Sequence, residues 1–262
     1  MEKIFRFFKH LRVLATMTLR ELIDEKIFLL FFPLIFLFLG IGFFLAMISL
    51  QEKELLFRET VSGLFSLFLS LLAIVVSATQ CHARSEKIFL FSRGIARWEY
   101  FLGKLMGVIL LLLVASGLFV INLLFIQLYW HDFSLKFLFL RSLAGSLLQA
   151  SLLATMTFCI ATTARSSLFT MVTMLFVYFI GHASLPLQEL AEQVGPFPSW
   201  IEKGIKILWL PIPSWSLFQA HDDAVGSMMQ ELTMLSEMLK PFGFYVAIYT
   251  ILGCWMFERE ER

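Results

Sequence analysis

The chain is poor in charge. Only 16% of its 262 residues are Asp, Glu, Lys or Arg, and the formal net charge is +1. A balance this close to zero leaves no electrostatic footprint for nucleic acid. Cysteine is scarce as well. Cys81, Cys159 and Cys254 stand far apart, with no metal or redox spacing, and each lies in or beside an apolar run. They read as small apolar residues rather than a disulfide framework. Catalytic signatures are missing too. No G-x-x-x-x-G-K-[ST] occurs, so the chain has no P-loop to cradle nucleotide phosphates, and no H-E-x-x-H occurs to hold zinc. His10, His82, His131, His182 and His221 are dispersed. Ser184 lies two residues from His182, but a single helical turn does not present two such neighbours as nucleophile and base. His182 therefore reads as a packing or interfacial residue. A cleavable leader is not expected: the first apolar run starts near residue 27 and lasts about 24 residues, longer than a signal core.

What is abundant is apolar surface. Hydrophobic residues make up 59% of the chain, and 30 of them are Phe. The mean hydropathy is +0.81. Soluble domains sit near 45–50% apolar, and a soluble fold of this length has too little interior for so much. Six runs meet or approach the ~20 residues that cross a bilayer as a helix. They are 27–50, 61–80, 105–129, 137–163, 167–186 and 241–257, the last being the shortest. The runs are continuous rather than alternating, so helices satisfy the backbone in lipid and a barrel does not. The expected fold class is an all-α integral membrane protein with six transmembrane helices.

Orientation follows from the basic residues. With the N-terminus inside, segments 1–26, 81–104, 164–166 and 258–262 face the cytoplasm and hold 14 of the 21 Lys and Arg. The outer segments 51–60, 130–141 and 187–240 hold 7. Both termini are therefore expected to be cytoplasmic. In segment 1–26, Ile4, Phe8, Leu11, Ala15, Leu19 and Leu22 recur at helical spacing, with Lys3, Arg6, Lys9, His10 and Arg20 mostly elsewhere on the wheel. This predicts an amphipathic helix lying on the inner leaflet. Pro33 is expected to kink or break the first span.

The loop after the fifth run is the longest. It carries Gly195, Pro196, Pro198, Pro211 and Pro213 with Trp200, Trp209 and Trp215, which predicts interfacial anchoring. A short helix over 200–210 is expected to dip toward the membrane. Ser214 is placed to cap a further segment, and 222–240 reads as a helix feeding the sixth span.

The spans themselves are bland. Their interior polar residues are Asn122, Gln127, Gln149, His182 and hydroxyls, while Asp, Glu, Lys and Arg keep to the ends. Carriers driven by protons or cations place ionisable groups at depth, so that class is disfavoured. Small residues recur every four positions: Ser62, Ser66 and Ser70; Ser142, Ser146, Ala150 and Ala154; Gly103 and Gly107. They let helices approach closely, either within one bundle or between subunits.

The most specific segment is the basic loop 84–104, between the second and third runs. It contains Arg84, Glu86 and Lys87, then Ser92-Arg93-Gly94-Ile95-Ala96-Arg97-Trp98-Glu99-Tyr100-Phe101-Leu102-Gly103-Lys104-Leu105-Met106-Gly107. It reads as a short amphipathic helix, a glycine turn and the start of a helix entering the third span. The second part resembles the S-R-P-x-S-R-x-E-Y-x-x-G-K-x-x-G stretch of permease subunits of type-2 ATP-binding-cassette exporters. It is nearest to the branch associated with multi-copper enzyme maturation. Gly94 stands where that pattern commonly has Pro, and Cys81-His82-Ala83 and Ser85-Glu86 replace its upstream acidic and Gly-Thr positions. Leu210-Pro211-Ile212-Pro213-Ser214-Trp215-Ser216-Leu217-Phe218 resembles the P-x-x-S-L-F of the same family's external region.

The resemblance implies a non-catalytic permease half of a dimer, homo- or heteromeric, in a bacterial cytoplasmic membrane. It implies no cofactor on this chain, with ATP and Mg held by two copies of a P-loop ATPase partner. It also implies a coupling helix that seats on that ATPase, with Arg84, Glu86, Lys87, Ser92, Arg93, Gly94, Arg97, Glu99, Tyr100 and Lys104 as the coupling residues. The alternative from another class is a membrane scaffold or assembly factor without an ATPase.

Overall fold

The computed structural model describes residues 2–24, 33, 37, 40, 41, 44, 47, 53–82, 96–129, 137–164, 166–194, 213, 215–218 and 228–259. Among them are six α-helices and no strand: α1 (Glu2–Asp24), α2 (Lys53–His82), α3 (Arg97–Tyr129), α4 (Phe137–Thr163), α5 (Ser167–Val194) and α6 (Met228–Arg259). A single 3-10 turn, Trp215–Phe218, lies between α5 and α6.

Among the described residues, four helical stretches are long and apolar enough to cross a membrane: Glu59–His82, Arg97–Leu124, Arg141–Thr163 and Glu237–Arg259. The apolar part of α5, Ser167–Ala183, is shorter. The run 27–50 lies mostly outside the described residues. Of it, Pro33, Leu37, Gly40, Ile41, Phe44 and Met47 are helical and exposed. The described residues thus form an all-helical structure, with several helices suited to lipid.

The helices overrun the spans read from hydropathy, because hydropathy marks where lipid can be and hydrogen bonding marks where a helix stops. Helix α2 begins at Lys53, so most of the expected loop 51–60 is helical. The expected helix 222–240 and span 241–257 are one helix from Met228 onward. Pro241 lies inside it and removes one backbone donor without ending it. Helix α5 likewise runs past Pro186 to Val194. The expected helix over 200–210 and the cap at Ser214 fall outside the described residues.

The ends of the bundle are set by contacts. At one end, here called basal, α2 finishes, α3 begins, and α4 and α6 finish. Arg97 of α3 reaches the Glu258 carbonyl of α6, and Thr163 of α4 reaches Met256 Sδ of α6. The opposite end is called distal. The most extensive pairings are α2 with α4, α1 with α3 and α4 with α6.

Two cores result. One joins α1, α2, α3, α4 and the end of α6, with Phe65 stacked on Phe119 at 4.1 Å and Phe101 edge-on to Phe158 at 5.7 Å. The other gathers Ile74 of α2, Leu152, Leu153 and Met156 of α4, Met174 and Tyr178 of α5, and Trp215 and Phe218 of the turn. The outer faces are apolar as well. Leu168, Phe169, Phe176 and Phe179 of α5 and Phe244, Ile251 and Trp255 of α6 are exposed. Water would penalise such a surface, and lipid does not.

Candidate functional site

Sequence reasoning put the site at the basal loop. Arg84, Glu86, Lys87, Ser92, Arg93 and Gly94 lie outside the described residues. Arg97, Glu99, Tyr100 and Lys104 are described, and all four are engaged with the chain's own helices. Arg97 donates to the Glu258 carbonyl at 3.3 Å. It brings positive charge to the C-terminal turn of α6, where the helix dipole favours it. Glu99, in the first turn of α3, pairs with His10 of α1 at 3.4 Å. Tyr100 is buried and stacks near Phe257 of α6 at 6.1 Å.

Lys104 is the most constrained of the four. It is 3% exposed and donates to Gln80 Oε1 of α2 at 2.7 Å and to Glu21 of α1 at 3.2 Å. Its ammonium also lies 5.9 Å from the Tyr100 ring centroid, one turn back. A buried ammonium persists only with partners of this kind. Lys104 therefore ties three helices together. Arg141, at the other border of a span, is buried too.

These contacts set the course of α1. Phe7 stacks on Trp98 at 5.0 Å, and His10 meets Glu99. A Cβ built on Gly103 would lie 2.6 Å from Leu14 Cβ, and one on Gly107 would lie 2.6 Å from Thr18 Cβ. Positions 7, 10, 14 and 18 thus advance in step with 98, 99, 103 and 107. Helix α1 runs parallel to α3, in close contact, for about three turns. The expectation was a helix lying flat on the leaflet, which would cross a span at one point. The two glycines explain the difference, since they form a groove that lets the backbones approach.

The buried face of α1 is Leu14, Ala15, Thr18 and Leu22. The expected stripe contained Ala15 and Leu22 but missed Leu14 and Thr18. Val13, Met17 and Ile23 remain exposed. Helix α3, at 33 residues, is about 50 Å long, well beyond the ~30 Å of hydrocarbon.

Sequence reasoning missed Glu21, Gln80 and Phe7 as members of this site. A signal existed for the first two: a lysine beside Gly103, at the border of an apolar run, requires a carboxylate or amide nearby.

A second built feature lies at the distal end. The turn Trp215–Phe218 enters between α4 and α5, and both its aromatic side chains are buried. Trp215 therefore does not anchor at the interface as its neighbourhood predicted. It packs within the bundle because two glycines clear the way. A Cβ on Gly145 of α4 would lie 2.1 Å from the Phe218 carbonyl oxygen, and one on Gly181 of α5 would lie 2.0 Å from Trp215 Nε1. The end of the segment that resembles P-x-x-S-L-F, Trp215–Phe218, is thus a plug in the bundle.

No protein-family model matches the chain, and no curated protein matches it.

Proposed function

We propose that this chain is the membrane-spanning subunit of an ATP-driven transporter of the type-2 exporter class, moving substrate when a separate ATPase hydrolyses ATP. The observation that carries the reading is the sequence 92–107, whose second half opens α3. Its Arg97, Glu99, Tyr100 and Lys104 grip α1, α2 and α6 at the basal end. A load applied at that loop would reach four helices through ion pairs, stacked rings and a glycine groove rather than through a slack linker. Mechanical coupling needs such a connection, because packed elements transmit displacement and flexible ones absorb it.

In this reading six spans place both termini in the cytoplasm of a bacterial inner membrane. Two permease halves pair, and two P-loop ATPases bind ATP and Mg below them. Since Lys104 and Tyr100 are buried, the ATPase-facing part of the loop is 84–94, while 97–104 fastens it to the bundle.

The test is co-purification with the P-loop ATPase encoded beside this gene. Arg93→Glu should weaken the complex and uncouple hydrolysis while leaving the permease's unfolding midpoint in place. Arg97→Glu should also lower that midpoint, because it puts a negative charge at the C-terminal turn of α6. If no ATPase co-purifies, or Arg93→Glu leaves both association and coupled hydrolysis intact, the reading fails and a scaffold or assembly role takes its place.

A further inference from the structure

Beneath the distal plug lies a layer of polar groups that nothing above has used. Gln149 of α4 is 0% exposed, and neither its amide oxygen nor its amide nitrogen has a hydrogen-bond partner. It sits one turn inward from Gly145, the residue against the Phe218 carbonyl. Tyr178 of α5 sits one turn inward from Gly181, the residue against the Trp215 indole. Ser70 of α2 lies beside the Tyr178 hydroxyl. Ser66, one turn away on α2, and the Trp215 indole N–H are likewise buried without partners. Leu152, Leu153 and Ile74, in the next turns of α4 and α2, share one apolar core with Tyr178 and Trp215. Helices α2, α4 and α5 and the plug thus converge on one level of the bundle.

The neighbouring hydroxyls behave differently. Ser146, Ser151 and Thr157 of α4 and Thr170 of α5 each donate to the carbonyl one turn back, at 2.6–3.1 Å. That local bond is the ordinary way to satisfy a hydroxyl inside an apolar helix. Ser66 does not use it, and Gln149 has no such route. An unsatisfied buried polar atom costs about 1–3 kcal/mol, so several at one level are not a neutral detail of packing. Their chemistry is also uniform. Gln149 offers a donor and an acceptor, Ser66, Ser70 and Tyr178 offer hydroxyls, and Trp215 offers a donor. None of them carries charge at neutral pH.

We infer that this layer is a binding site for an uncharged group bearing both a donor and an acceptor, namely an amide, with Gln149 as its main contact and Trp215 as its cover. Among the described residues at this level, no cation would meet a carboxylate and no anion would meet an ammonium; Arg141 lies two turns outward on α4. An amide would complete the Gln149 pair reciprocally, as two primary amides do, and take the Trp215 N–H on its carbonyl. The inference rests on the bundle alone and needs no ATPase partner. It therefore stands or falls separately from the coupling reading.

The experiment uses the full chain in nanodiscs, with unfolding midpoints recorded against N-acetyl-leucinamide, N-acetyl-leucine methyl ester and N-acetyl-leucine. The amide should raise the midpoint saturably, by about 5 °C at a hundredfold excess over half-saturation. The ester, which lacks the terminal donor, should do less, and the free acid nothing. Gln149→Leu should abolish the amide response and Gln149→Asn should retain part of it. Should Gln149→Leu fail to fold, Ser70→Ala serves instead and should shift half-saturation upward several-fold. The proposal is overturned if the amide leaves the wild-type midpoint unmoved. It is equally overturned if the acid matches the amide, or if the response survives unchanged in the folded variant.

Discussion

The seat of the distal plug yields a sharp prediction at Gly145. An alanine there would put its methyl carbon 2.1 Å from the Phe218 carbonyl oxygen, over an ångström inside van der Waals contact. The obstructing atom is backbone, so no rotamer change relieves it. Either α4 or the whole turn Trp215–Phe218 must move. Overpacking of this kind costs about 1–3 kcal/mol. If the turn is instead expelled, the loss is the burial of Trp215 and Phe218, both essentially inaccessible in the native state. At about 1.5–3 kcal/mol for each large side chain, that bound is about 3–6 kcal/mol. Against it stands the better helix propensity of alanine, about 1 kcal/mol. The net expectation is a destabilisation of up to about 2 kcal/mol if the turn stays and about 2–5 kcal/mol if it leaves. For a chain of this size each kcal/mol lowers the unfolding midpoint by about 2–4 °C.

The control is Gly117→Ala in α3, whose methyl would meet nothing within 4 Å. It should be neutral or slightly stabilising. Thermal unfolding in nanodiscs measures both variants. A double-mutant comparison separates the two glycines. Gly181→Ala collides with the Trp215 side chain, so Trp215→Ala should relieve it and the pair should be far from additive. Gly145→Ala collides with backbone, so Phe218→Ala should not relieve it. A Gly145→Ala protein as stable as Gly117→Ala would refute the seating of the turn.

Other outcomes follow from the same contacts. Glu21→Leu removes the carboxylate that meets the buried Lys104 ammonium and should cost about 1–3 kcal/mol, in the lower half because Glu21 is partly exposed. Lys104→Met removes the charge as well and returns Glu21 to water, so it should cost less, and the opposite order in thermal unfolding would refute the tie. Gly103→Leu would drive a side chain into Leu14, whose Cβ lies 2.6 Å from the Cβ position of 103, and should destabilise the protein by about 1–3 kcal/mol in thermal unfolding, whereas Gly63→Leu, which meets nothing within 4 Å, should not. Equal effects of the two would refute the close pairing of α1 with α3. In a background without other tryptophans, Trp placed at exposed Phe176 should be quenched by brominated lipid, and Trp at buried Phe158 should not; equal quenching would refute the assignment of the outer face.

The legibility of the site was uneven for a physical reason. The stretch 92–107 was visible because it is one contiguous run of unusual residues. Its partners were not. Glu21 lies 83 residues from Lys104, His10 lies 89 from Glu99, and Glu258 lies 161 from Arg97. Nothing local marks a glutamate in an amphipathic helix as the partner of a distant lysine. The tryptophans of the long loop misled in the same way. Their composition matches that of interfacial anchors, yet Trp215 fills a slot whose walls, Gly145 and Gly181, belong to two other helices.

What the sequence alone determined is the helical, apolar character of the chain. In lipid the backbone must bond within its own segment, so composition over about 20 residues decides both the element and its solvent. The fourth run, about 137–163, is helical throughout, in α4. What only the tertiary structure decided is how faces pair: α1 alongside α3, Lys104 between Glu21 and Gln80, and the turn Trp215–Phe218 between two glycines. These depend on which small residues meet across the bundle. A hydropathy pattern treats Gly103, Gly107, Gly145 and Gly181 as gaps, whereas in the fold they are the places where another backbone comes to rest.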